Sequence, residues 1–238
     1  MPLSGWAVAF QLGVVDKAGR PIPGHPLRRV TLEYPARTDL LCPDRAERLF
    51  AAYDVPVTLP EFPGIGFAFE AGQTVRLSAE LSAAPGQLHP EAYVELTLFY
   101  RERGRSPLPV VDILPLWLEV GGCGTSFRTT SLDLPPGTDV RRQEFVLPRH
   151  GKLLGAVALA GQYGQRLLLE RLPGGIVVDF RRQNAAVPLV NWMPRGGTPV
   201  SAGERLRLAV EYSNATAVLQ PGEARAAVLA YFLPAVEK

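Results

Sequence analysis

The side chains that could carry chemistry in this sequence are few. They are two cysteines, Cys42 and Cys123, three histidines, His25, His89 and His150, and a scatter of carboxylates. No Cys-x-x-Cys pair is present, so the cysteines do not read as a metal or redox motif. Two readings stay open for them: a disulfide, or two inert buried thiols. A bridge closing so long a loop would stabilise by roughly 4 kcal/mol in the chain-entropy description. Each histidine stands beside proline, glycine or arginine in an expected turn, where surface exposure is the ordinary outcome. A three-histidine zinc site would need all of them to converge, and their spacing does not suggest it. Asp112, Glu119, Asp133, Asp139 and Asp179 show no pairing at catalytic spacing. Glu80 and Glu211 lie on alternating segments and are expected on solvent faces. Asn214-Ala215-Thr216 matches a glycosylation sequon, a pattern common by chance. The sequence therefore nominates no catalytic, cofactor-binding or metal-binding residue, and only Cys42 and Cys123 as a possible covalent pair.

Longer motifs point the same way. There is no P-loop, no dinucleotide-binding glycine fingerprint, no Gly-x-Ser-x-Gly and no His-Glu-x-x-His. With 25 basic against 23 acidic residues the chain has no charge excess to steer it to nucleic acid or an anionic membrane. The pairs Arg28-Arg29, Arg141-Arg142 and Arg181-Arg182 read as solvated edges or turns. No apolar run approaches the ~20 residues of a membrane span. The first six residues lack the charged and apolar regions of a signal peptide, so the chain is expected to be cytosolic or a mature exported form.

The elements that must position these residues are nearly all strands. Alternation of apolar and polar residues over 74–81 and 93–100 marks half-buried antiparallel strands. Further strands are expected over 6–15, 27–34, 144–147, 155–160, 165–171, 176–181, 205–212 and 226–233. The 23 glycines and 23 prolines are spread through the chain, as turns between many short strands require. One segment, 44–53, is rich in helix formers behind Pro43 and is expected to be a short helix.

The strongest signal is an internal repeat. Residues 71–100 fall without a gap on residues 202–231, an offset of 131 (202 minus 71). Ala71/Ala202, Gly72/Gly203, Arg76/Arg207, Leu77/Leu208, Glu80/Glu211, Leu98/Leu229 and Tyr100/Tyr231 are identical across it. At 238 residues the chain has room for two such domains. The expectation is an all-β protein of two tandem antiparallel domains, β-sandwiches or jelly rolls, 1–120 and 125–238. Gly121-Gly122-Cys123-Gly124 would be the hinge between them.

Several stretches carry a family resemblance. They are Val15-Asp16-Lys17-Ala18-Gly19-Arg20-Pro21-Ile22-Pro23, Leu27-Arg28-Arg29-Val30-Thr31-Leu32, residues 59–67, residues 114–123 and residues 155–170. In these the chain resembles the two-domain copper type II, ascorbate-dependent monooxygenases, peptidylglycine α-hydroxylating monooxygenase among them, and more closely the stress up-regulated Nod 19-like secreted proteins. The resemblance implies two jelly rolls, export from a bacterium to a location outside the cytoplasm, and one copper per domain in catalytic members. It also implies ligands: a His-His pair with a third histidine, then His-x-His with a methionine. Here the first pair falls on Arg28-Arg29 and the third histidine at about Glu80. The His-x-His falls within Ala158-Leu159-Ala160-Gly161, and the methionine near Ala224. Arginine has no lone pair to offer copper. The expected function is a non-catalytic binding or structural role without cofactor, toward a protein or small ligand. A shell-type tandem jelly-roll assembly protein and an enzyme with an acidic interdomain site are the alternatives.

Overall fold

The computed structural model describes residues 3–22, 27–53, 58–59, 61, 64–81, 91–105, 109–123, 132–182, 189–192 and 194–236. Among them there are 17 strands and no α-helix. The chain divides into two compact units. The first comprises Met1–Thr38 and Ala46–Ile113, the second Asp39–Arg45 and Leu114–Lys238.

In the second unit, β9 (Leu114–Glu119), β11 (Gly151–Ala160), β14 (Leu189–Trp192) and β17 (Ala226–Pro234) form one sheet in the order β14-β11-β17-β9. A short β15 (Thr198–Val200) adds to β11. The other sheet runs β10-β16-β12-β13, from β10 (Gly137–Val146), β12 (Gly164–Leu172), β13 (Ile176–Arg181) and β16 (Arg205–Asn214). Eight strands wound in this order into two antiparallel sheets make a jelly roll. Leu116, Leu118, Ala156, Ala158, Leu167, Leu169, Leu206, Leu208, Val210 and Val228 fill the space between the sheets. They alternate along their strands because successive side chains point to opposite faces.

The first unit repeats most of this pairing. One sheet is built on β1 (Gly5–Val15), which pairs with β4 (Thr58–Leu59), β5 (Ile65–Phe69) and β7 (Tyr93–Glu102). Its counterpart β11 pairs in the same way with β14, β15 and β17. The second sheet is β3-β2-β6, from β2 (Leu27–Thr38), β3 (Ala46–Tyr53) and β6 (Arg76–Leu81), matching β13-β12-β16. Even the irregularities recur. A bulge between Ala7 and Ala9 in the β1–β7 pair answers one between Leu153 and Gly155 in β11–β17. Inside this unit Phe10 stacks on Phe50, with ring centroids 5.3 Å apart.

The repeat also extends to turn chemistry. Gly72 and Gly203 both have φ of 78°, left-handed backbone that glycine adopts without steric cost. Gln73 N–H donates to Glu70 O and Glu204 N–H to Ser201 O, each at 3.1 Å. The side chains of Gln73 and Glu204 accept from the backbone N–H of Glu70 and Ser201 respectively.

Three expectations change. The segment expected as a helix is β3, which pairs along β2 from Arg29↔Tyr53 to Thr38↔Ala46. A lone ten-residue helix is marginal in water, whereas this strand is buried from Glu47 to Tyr53 on both faces. Residues 110–120 do not close the first domain as one piece. β8 (Val111–Asp112) pairs with β5, but β9 pairs with β17 and belongs to the second unit. Gly121 and Gly122 form a tight turn, with Gly122 N–H donating to Glu119 O at 3.0 Å, rather than an open hinge. Finally, the 131 offset holds through β6 but becomes 132 in β7, where the matching bulges align Phe99 with Tyr231.

Two strands of the second unit, β9 and β10, have no counterpart in the first among the described residues. Among the described residues no strand covers the corresponding edges of β6 and β7. Core-facing side chains there are exposed: Leu77 is 43% accessible, whereas its equivalent Leu208 is 0%. Tyr100 is 48% accessible, and Phe232, its equivalent by strand pairing, 1%.

Candidate functional site

The positions that the resemblance assigns to metal ligands can be examined as structure. In the first unit Arg29 stands directly across the ladder from Glu80, just after a bulge between Leu27 and Arg29. The second unit repeats this: after a bulge between Gly164 and Arg166, Arg166 stands across from Glu211. There Arg166 Nη1 meets Glu211 Oε1 at 3.1 Å. Glu80 and Glu211 are therefore half of a recurring cross-strand Arg–Glu arrangement, the pairing that opposite charges favour on a sheet. Neither an arginine nor a carboxylate held to one supplies the imidazoles that a type II copper requires.

The second set of positions does come together. Ala160 is the register partner of Ala226, and Gly161 N–H donates to Arg225 O at 3.1 Å, so 158–161 and 224–226 are neighbours. What meets there is apolar. Ala158, Ala160, Ala224 and Ala226 are all within the packed core of the unit, and Ala224 is 0% exposed. The methyl groups of these four alanines supply no metal-ligating atom. The residues present do not fit copper at either position. Among the described residues no group of three His, Cys, Asp or Glu side chains is placed to hold a metal ion.

His25, His89 and Met193 lie outside the described residues. His150 borders a groove of about 550 Å³ together with Pro148, Arg149, Ala202 and Pro234. Its Nδ1 accepts from Ala202 N–H at 3.4 Å. No thiol or carboxylate lines that groove, so it assembles no nucleophile or acid–base pair.

The cysteines are joined. Cys42 and Cys123 form a disulfide across 81 residues of sequence, with Cα atoms 5.4 Å apart. Both belong to the second unit, which the chain therefore enters twice. The first visit is the tight loop Asp39–Arg45. Asp39 Oδ1 accepts from the N–H groups of Leu41 and Cys42 at 3.0 Å, and Arg45 N–H donates to Cys42 O. Leu40 and Leu41 pack against the core of the unit. Arg45 Nη1 reaches Glu119 Oε2 at 3.3 Å, beside the bridge.

The carboxylates that the sequence left unpaired have partners. Asp139 binds Arg141 at 2.5 Å, Asp133 Oδ1 accepts from Gly222 N–H at 2.8 Å, and Asp112 accepts from the Trp6 indole N–H. Asp179 accepts from Arg166 Nε at 2.7 Å and also from Arg181. The Arg166 hydrogen bond holds the Asp179 carboxyl below the usual carboxylate range. This is the opposite of the raised pKa that a general acid needs. It also fixes a pH dependence. A carboxyl depressed in the folded state contributes stability above its unfolded pKa and loses that contribution as pH falls through the folded one. The wild-type protein should therefore be more stable than Asp179→Asn by less than about 1 kcal/mol for so exposed a network, read as a higher Tm. That margin should close only below pH of about 4, the ordinary carboxylate value. Melting curves against pH test this, and a margin that closes near neutrality would refute it.

The sequon is not a surface acceptor. Asn214 is 1% exposed. Its Nδ2 donates to the carbonyls of Leu134, Pro135 and Val218, and its Oδ1 accepts from the N–H and hydroxyl of Thr216. The sequence signal was a motif for modification; the structural role is a buried knot between three segments.

No family model and no curated protein matches this chain. Among solved structures it is similar to the crystal structure of the STIV MCP. That match has 10% identity, covers 97% of this chain and 88% of the other, and has a TM-score of 0.36. It is also similar to an F-lectin (fucolectin) from the serum of striped bass, Morone saxatilis. There the identity is 7%, coverage 99% and 80%, and the TM-score 0.25. Likenesses of this size carry no argument about function.

Proposed function

We propose that this protein is a non-catalytic binding or structural component, built on a scaffold of the copper-monooxygenase-like type from which both metal sites have been lost. The observation that carries the reading is the content of the ligand positions. An Arg29–Glu80 cross-strand arrangement stands at one, and a packed alanine cluster of Ala158, Ala160 and Ala224 at the other. Restoring copper would take several coordinated substitutions in each unit, and in the second it would also require opening a filled core. The Cys42–Cys123 bridge supports a working location in an oxidising compartment, outside the bacterial cytoplasm.

The test is direct. The protein is incubated with Cu(II) and ascorbate, desalted, and its metal content measured. The expected result is far less than one copper per chain. Retention of one or two tightly held coppers would overturn the proposal.

A further inference from the structure

We infer that the open edge of the first unit is a self-association surface, on which β7 of one copy pairs antiparallel with β7 of a second copy about a two-fold axis at Leu98. The inference rests on strand pairing alone and does not depend on the copper-site reading.

The second unit shows what this edge lacks. There β17 is flanked on one side by β11 and on the other by β9, whose Leu116 and Leu118 enter the core opposite Ala230 and Val228. Likewise β10 covers the far side of β16. In the first unit, among the described residues, β7 pairs only with β1 and β6 only with β2. An uncovered edge offers a row of unpaired N–H and C=O groups, and sequences usually blunt such edges with proline, lysine or bulges. Over its ten residues, Tyr-Val-Glu-Leu-Thr-Leu-Phe-Tyr-Arg-Glu, β7 has neither proline nor lysine. Its Tyr93, Phe99 and Tyr100 are 50%, 45% and 48% exposed.

The sequence of the edge specifies its partner. Antiparallel pairing of β7 with itself about Leu98 sets Glu95 opposite Arg101 twice, once on each side of the axis. On the other face Leu96 meets Tyr100 and Leu98 meets Leu98. The central pairs then match, Glu95 to Arg101 on the outer face and Leu96 to Tyr100 and Leu98 to Leu98 on the face shared with Phe10 and Leu12, the β1 partners of Leu98 and Leu96, while Thr97 meets Phe99 and only the terminal Val94–Glu102 pair sets an apolar side chain against a charge. Such a contact is isologous and closes at two copies. β6 carries the same self-complementarity about Ser78, with Arg76 opposite Glu80 and Leu77 opposite Ala79. Arg101 already binds Glu61 at 2.7 Å within its own chain, which holds the guanidinium at the edge.

The experiment uses the full chain in sedimentation-equilibrium runs over a concentration series. The wild type should dimerise. Glu95→Arg places arginine opposite arginine and should weaken dimerisation by at least about 10-fold. Arg101→Glu should do the same, and the double exchange should restore wild-type association, while circular dichroism reports that all variants stay folded. Restoration is the diagnostic outcome, since damage to the fold would accumulate in the double variant rather than cancel. A strictly monomeric wild type would overturn the inference. So would single variants that dimerise like wild type, a double variant that stays monomeric, or open-ended assemblies. A monomer that takes up a synthetic peptide of residues 114–119 would also overturn it, assigning the edge to a donated strand instead.

Discussion

Breaking the Cys42–Cys123 bridge should cost the second unit roughly 4 kcal/mol, the largest single effect expected in this protein. The magnitude follows from the size of the loop, which spans 81 residues of sequence. Closing it removes chain entropy from the unfolded state that a reduced chain must lose on folding. The bridge is not the only tie on its loop. Leu40 and Leu41 pack on the core, Asp39 caps the turn, and Arg45 pairs with Glu119. Reduction should therefore lower the melting temperature of the second unit without abolishing its sandwich. The Asp39–Arg45 segment should lose hydrogen-exchange protection first, since it loses its one covalent tie to the unit. The measurement is calorimetry with and without reductant, repeated on the Cys42→Ala/Cys123→Ala double variant. A reduced protein melting within about 1 °C of the oxidised one would show that the bridge adds nothing.

Asn214→Ala should be the most damaging substitution of a single polar residue, at roughly 3 kcal/mol. Five hydrogen-bond contacts meet at this one buried amide, one of its two N–H groups shared between two carbonyls, joining the end of β16 to residues 134–135 and to the turn that follows it. Alanine removes all of them and leaves the Thr216 N–H and the Pro135 carbonyl without the partners they had. Both groups sit on exposed residues where water can take the lost partner's place, so the cost is that of the hydrogen bonds themselves, about 1 kcal/mol each. Asn214→Asp separates this account from a packing effect, because it keeps the shape and removes only the donor. At neutral pH a carboxylate would face three carbonyl oxygens and should destabilise at least as much as alanine. Its protonated form is favoured in the fold, so its folded pKa is raised. The variant should regain stability as pH falls through that raised value, where alanine gains nothing. Urea unfolding of the three proteins at two pH values is the test. An aspartate variant as stable as wild type at neutral pH would exclude the hydrogen-bonding role.

Much of the fold was legible because its signals are local. Alternation in 74–81 and 93–100 marks strands wherever they sit, and the Ala-Gly turns at 71–72 and 202–203 repeat because the same backbone geometry demands the same glycine. The constant offset of 131 aligns β6 with β16 and already runs one residue out of register in β7 against β17. The bulges place Arg29 with Arg166 and Ala9 with Gly155, offsets of 137 (166 minus 29) and 146 (155 minus 9). Unequal loop lengths hide the rest of the repeat from any ungapped comparison.

The sequence by itself determined an all-β protein with a tandem repeat and two cysteines able to pair. Tertiary structure alone decided which edge each strand joins. It took residues 46–53 from helix to strand by giving their backbone a partner in β2 and burying both faces. It assigned β9 to the second unit, joined Cys42 to Cys123, and turned a sequon asparagine into a buried knot. Among the described residues it also left one edge each of β6 and β7 without a strand partner. Propensity and alternation act between near neighbours in sequence. Strand partners, disulfides and burial are settled between residues far apart in the chain, where the gain from pairing outweighs local preference.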